Sequence, residues 1–168
     1  MSAADVFGDA EALVHREAGL IDDAAWDAWL ALYTDDCRYW VPVSREMTSP
    51  REGPSHFNDD RQVMMARTHR LANPRAFAAE PSPRTLHIVS GVRVEADDGE
   101  TVDVVSSQLM LEWRNRDRFE ADQRTFGARV RHTLRSSPRD DRSAVWSAGA
   151  GYGGRASADV HEPRRSTW

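Results

Sequence analysis

Six histidines (His15, His56, His69, His87, His132 and His161) and one cysteine, Cys37, bound the metal and redox chemistry open to this chain. An iron–sulfur cluster needs four thiolates, or two thiolates and two imidazoles in the Rieske type. One cysteine supplies neither set. A mononuclear iron or a zinc needs imidazoles and carboxylates that converge, and no two of these histidines stand at i and i+4. No Gly-rich phosphate loop, serine nucleophile elbow or paired-cysteine motif occurs either. No metal and no cofactor are expected on this chain.

Acid–base chemistry needs less: one histidine or carboxylate with a perturbed pKa inside a cavity. His87 is the best placed. In the run Arg84-Thr85-Leu86-His87-Ile88-Val89-Ser90 the alternation of a strand puts it on one face with Thr85 and Val89. It serves equally well as a core or interface histidine satisfied by one hydrogen bond. Asp35, Asp36 and Tyr39 could also reach the mouth of a pocket, although they read as an ordinary helix stop as well. Arg67, Arg70, Arg84 and Arg93 could bind an anion, or pair with acids or cross a subunit interface, where arginine is enriched.

Aromatic residues are 8% of the chain, yet residues 22–43 hold three tryptophans and two tyrosines. Trp26, Trp29, Leu30 and Tyr33 recur at i, i+3, i+4 and i+7, so a helix over them carries one aromatic face. Tyr39 and Trp40 follow in a β-prone run that Pro42 ends. Such a stripe is core and interface material, because Trp and Tyr bury large areas with few rotamers and one polar bond. Trp26, Trp29, Tyr39, Trp40 and Arg84 are the interface or core candidates.

The elements that must position these residues follow from periodicity. Val6, Ala10, Leu13, Val14, Ala18 and Ile21 make one apolar stripe, which predicts a first helix. Asp22 or Asp23 can cap a second. Residues 44–58 read as loop, and Asn58-Asp59-Asp60 opens a helix to about Leu71. From Arg84 the period becomes two: strands over 84–95 and 101–113 joined at Asp97-Asp98-Gly99-Glu100, then a strand over 122–134. Helices followed by an antiparallel meander predict an α+β domain, a curved sheet with helices packed on its open face.

A net charge of −5 argues against a phosphate-tracking surface. No apolar run nears the ~20 residues a membrane helix requires, and no signal peptide is evident. The lone cysteine fits a reducing cytoplasm.

Laid out in order, these residues resemble the small (beta) subunit of bacterial aromatic-ring-hydroxylating dioxygenases. The resemblance rests on "REAGLIDDAAWDAWLALYTDDCRYWVPV", on "NDDR" opening a helix, and on "PSPRTLHIVSGVRV" and "FGARVRHTLR". It implies a cone-shaped fold of the cystatin or nuclear-transport-factor-2 kind. It also implies assembly with a large (alpha) subunit as three of each with a beta trimer, and a Rieske cluster and catalytic iron carried by that alpha subunit. No catalytic residue is then expected here. Two other readings stay open: a small dehydratase or isomerase of the same fold using His87 with an aspartate, and a binding or assembly module without chemistry. Residues 1–135 make the expected domain. Residues 136–168 lack Leu, Ile, Met and Phe and read as an atypical, disordered tail; a one-base shift of reading frame from Ser143 would account for the break, and the coding DNA tests it.

Overall fold

The computed structural model describes residues 3–44, 46–73, 83–117, 120–137 and 145–148. Helix α1 runs Ala3–Asp22 and buries Val6, Ala10, Val14 and Ala18, the predicted stripe. A turn follows in which Ala24 takes a left-handed φ of 52°. Helix α2 is only Trp26–Leu30, shorter than its aromatic periodicity predicts. The end of the helix and the turn beyond it find a common partner: the Arg61 guanidinium donates to the Leu30 and Tyr33 carbonyl oxygens, both at 2.7 Å. Nor does an aspartate cap α2. Its N-cap is Ala25, without a side-chain bond, because Asp22 is committed to β3, as shown below.

Strand β1, Arg38–Pro42, pairs antiparallel with β2, Ser55–Asp60. The second of these corrects the loop expected over 44–58. "SHFNDD" is polar and follows Gly53-Pro54, so no local signal marks it; its backbone groups are satisfied by β1. The Trp40 indole N–H also donates across the pair to Ser55 Oγ at 2.7 Å. Helix α3, Arg61–Ala72, begins where predicted, with Asp60 Oδ1 accepting from the Val63 amide at 2.9 Å.

The main sheet has the order β3-β4-β5-β6 and is open. β3 (Arg84–Asp97), β4 (Thr101–Asp117) and β5 (Glu120–Ser137) are each longer than the sequence reading gave them. Gly99 supplies the φ of 87° in the β3–β4 hairpin. Within β3 the register slips between Ser90 and Arg93 around Gly91, whose φ is 60°. That bulge bends and twists the strand, which gives the sheet a concave face. Val102, Val104 and Leu134 on this face close with Val6, Ala10 and Val14 of α1 and with Trp29, Leu30, Leu32 and Tyr33 into one core. Packing of helices on the open side of a curved antiparallel sheet is the α+β layout the sequence predicts.

β6, Val145–Ala148, pairs with Leu134–Ser137 of β5. Residues 136–137 and 145–148 are paired in the sheet, inside the segment whose composition predicts a tail. The remainder of that segment, 138–144 and 149–168, lies outside the described residues.

Candidate functional site

Among the described residues, two histidine–carboxylate pairs and an aromatic cavity are places where chemistry could occur. His87 does meet an aspartate, but it is Asp22 rather than Asp36. The curved sheet carries β3 past the last residue of α1, where the Asp22 carboxylate accepts the His87 backbone N–H at 2.8 Å and lies 2.6 Å from His87 Nδ1. Partial burial pushes the Asp22 carboxyl upward, yet the His87 backbone and ring bonds, Thr85 and the imidazole charge outweigh it and hold it below its ordinary 3.8. Both oxygens are thus occupied in tying α1 to β3. Asp36 is exposed and pairs instead with Arg135, Nη1–Oδ2 2.7 Å. Tyr39 packs on Trp29 and Phe57, where burial and then the Glu17 and Asp59 carboxylates raise its hydroxyl pKa. Each of the three residues nominated for acid–base work has its own partners.

The second pair was not legible as a site. On α1, Glu17 falls within the apolar stripe, three residues after Val14 and four before Ile21. On β5, His132 alternates inward with Val130 and Leu134. Their side chains meet inside the core, His132 Nε2–Glu17 Oε2 2.7 Å, and both are almost wholly buried. The Tyr33 hydroxyl donates to the other Glu17 oxygen. The Trp29 indole N–H is turned toward the same carboxylate without closing a regular bond. Burial pushes the Glu17 carboxyl up, but the charge and hydrogen bond of His132, with Tyr33, outweigh it and hold it below 4.5. The space beside the pair, bounded by Leu13, Val14, Glu17, Leu32 and His132, measures about 10 Å³. A single water needs roughly 10–15 Å³. No organic substrate fits, so this pair holds the core together.

The aromatic residues form a chain of edge-to-face contacts: Trp26–Trp29 at 6.3 Å, Trp29–Tyr39 at 5.9 Å and Tyr39–Phe57 at 6.0 Å between centroids. Trp29 and Trp40 are buried, as a core reading requires; Trp26 and Tyr39 are half-buried and Arg84 is exposed at the start of β3. Cys37 is buried against Met64, Sγ–Sδ 3.7 Å, and burial pushes its thiol pKa up, which makes it a poor nucleophile. Among the described residues no three His, Cys, Asp or Glu side chains come together in a set that could hold a metal ion. The donor set therefore does not suit a Rieske cluster or a mononuclear iron.

The outer face of the sheet is unusual in another way. Leu86 stands opposite Leu111 and Ile88 opposite Leu109 in the β3–β4 register. Leu86, Ile88 and Leu109 are all exposed. Contiguous aliphatic side chains on a solvent face mark an interaction surface more often than chance.

The family model described as ring hydroxylating beta subunit matches residues 16–144. The small oxygenase component of the p-cumate 2,3-dioxygenase system of Pseudomonas putida is 35% identical over 101 residues, 59% of this chain and 56% of that one. The benzene 1,2-dioxygenase beta subunit of Pseudomonas putida is 29% identical over 135 residues, 76% of this chain and 71% of that one. The crystal structure of the benzoate 1,2-dioxygenase beta subunit from Burkholderia mallei superposes with a TM-score of 0.62 at 25% identity, covering 89% of this chain and 87% of the other.

Proposed function

Since the chain belongs to the family of ring-hydroxylating beta subunits, we propose that it is the non-catalytic, structural subunit of an aromatic-ring dioxygenase. It supports a large alpha subunit that carries the Rieske cluster and the iron and dihydroxylates the ring. The observation that carries this reading is the use of the chain's own acid–base groups: among the described residues both histidine–carboxylate pairs bind element to element, Asp22 with both oxygens on His87 and Glu17 with His132 beside a space too small for a substrate. The exposed Leu86, Ile88 and Leu109, with Arg84 at their edge, supply a face for a neighbouring subunit. We take the assembly to be three of each subunit around a beta trimer, in the cytoplasm. Among the described residues no helix is long and apolar enough to cross a membrane.

The dehydratase or isomerase reading has one observation in its favour, the 2.6 Å contact of His87 with Asp22. It is the weaker reading, because both Asp22 oxygens are already engaged.

Co-expression with a large subunit encoded beside it, followed by sizing and iron analysis, tests the proposal. The expected result is co-elution as a hetero-oligomer whose iron resides on the large subunit, and an isolated chain that binds no iron and oxidises no aromatic compound. Stoichiometric iron in the isolated chain, turnover by it, or failure to associate would overturn the reading.

A further inference from the structure

A cavity of about 130 Å³ lies between α3, the β1–β2 ladder and the end of α1. The pairing register that sets Tyr39 opposite Asp59 and Val41 opposite Phe57 turns Tyr39, Phe57 and Asp59 to one face of the ladder. From α3 the opposing wall is Met64, Arg67, Thr68 and Leu71, spaced i, i+3, i+4 and i+7; Ile21, Trp26 and Trp29 complete the lining of a pocket that is open on one side. None of the residues of the two histidine–carboxylate pairs borders it.

We propose that this cavity is a binding site for a neutral, single-ring aromatic molecule. Three features select that class. The volume suits one ring: an apolar cavity of about 150 Å³ in another protein admits benzene. The walls present four aromatic rings whose mutual contacts run edge to face, with interplanar angles of 87°, 72° and 87° along the series Trp26, Trp29, Tyr39, Phe57. A guest ring set among them meets faces and edges in the alternation that aromatic quadrupoles favour.

Charge decides the remainder. The charged side chains of the wall are Asp59 and Arg67, and they neutralise one another: Nε donates to Oδ2 at 2.7 Å and Nη2 to Oδ1 at 3.1 Å. The Phe57 ring lies over the same guanidinium at 4.6 Å. The Thr68 hydroxyl donates to the Met65 carbonyl at 3.0 Å. A carboxylate guest would have to face the Asp59 oxygens or pull Arg67 from them, and an ammonium guest would meet the mirror-image conflict. A neutral ring disturbs nothing and buries its own apolar surface.

The site goes beyond the structural role proposed above and does not depend on it. Titration of the full-length chain alone, followed by fluorine NMR, keeps any site on a large subunit out of the measurement. Fluorobenzene is the probe and 4-fluorobenzoate the charged control. The expected result is saturable broadening of the fluorobenzene signal, with binding at least about tenfold tighter than that of the benzoate. Leu71, half-exposed at the rim of the wall, permits a blocking variant: Leu71→Trp should weaken fluorobenzene at least about tenfold while the far-ultraviolet dichroism stays that of the parent. A non-saturating response, equal binding of the benzoate, or unchanged binding in folded Leu71→Trp would overturn the assignment. Should that variant not fold, the parent decides alone. Intermolecular Overhauser contacts from the ring protons of bound fluorobenzene to indole protons support the site, and their absence at saturation refutes it.

Discussion

Among the described residues two histidine–carboxylate pairs of nearly equal length tie α1 to the sheet, and they differ in what surrounds them. Glu17 and His132 are 2.7 Å apart with side chains 4% and 3% exposed; Asp22 and His87 are 2.6 Å apart at 17% and 9%. The first spans from the middle of α1 to β5, through a core with room for at most one water. The second joins the end of α1 to β3 near the surface, and its carboxylate also holds a backbone N–H. An ion pair taken wholly out of water survives only while both partners are present, since either charge alone is uncompensated. A pair at a margin can trade its partner for solvent. Burial, more than distance, separates the two.

The sharpest way to test that contrast is to remove the imidazole from each. His132→Ala leaves Glu17 inside the core with Tyr33 as its donor. Breaking a buried pair in this way costs about 3–5 kcal/mol, a large share of a domain's ~5–15 kcal/mol. Urea unfolding should show the midpoint collapse. Replacing both residues, Glu17→Leu with His132→Leu, should recover most of the loss, because no charge is then stranded. A cost for His132→Ala no larger than that of the marginal pair would end the distinction.

Acid should reveal the same pairs without mutation. Both carboxyls are held below their ordinary values in the folded chain. A depressed folded pKa contributes stability that is complete above the unfolded value and is lost as pH falls through the folded one. The chain should therefore hold its stability down to about pH 4.5, the ordinary glutamate value, and lose it progressively below that as Glu17 and Asp22 take up protons. Urea midpoints measured against pH check it. A stability that rises on acidification through that range would contradict the sign.

His87→Ala comes next in size. It removes the ring but keeps the His87 amide, which still donates to Asp22. The expected loss is about 1–3 kcal/mol, and turnover by a fully assembled, iron-replete complex should be unaffected. Loss of turnover with assembly intact would move His87 from staple to acid–base group.

What the sequence disclosed divides along the same line between local and distant causes. The α1 stripe, the Asp60 cap of α3, the β3–β4 turn and the shared face of Thr85, His87 and Val89 all arise within a few residues, and periodicity shows them. Asp22 looked like a cap for α2 because such a bond is local, yet its partner came from β3. β2 has no apolar alternation of its own and exists through β1. Glu17 and His132 are 115 positions apart, so nothing in either neighbourhood names the other. There was a signal nonetheless: an acid inside an apolar helical stripe, and a histidine in the inward register of a Val-rich strand, each demand a buried partner.

The smallest effect completes the series. Asp36 and Arg135 meet at 2.7 Å, as close as the buried pair, but their side chains are 59% and 43% exposed. Thr34 and Arg135 hold the Asp36 carboxyl below its usual value, which shows attraction but not stability, because water solvates both charges almost equally well when they part. Ordering the long, exposed Arg135 side chain also costs rotamer freedom, and salt screens what remains. Asp36→Ala should therefore change the unfolding free energy by no more than about 0.5 kcal/mol, and that difference should fade at about 0.5 M salt, where the screening length is far shorter than at physiological strength. His132→Ala and His87→Ala should keep their effects in the same salt. If Asp36→Ala instead costs as much as His87→Ala and resists salt, contact distance rather than burial ranks these pairs, and the comparison between the core and the margin fails at its weakest member.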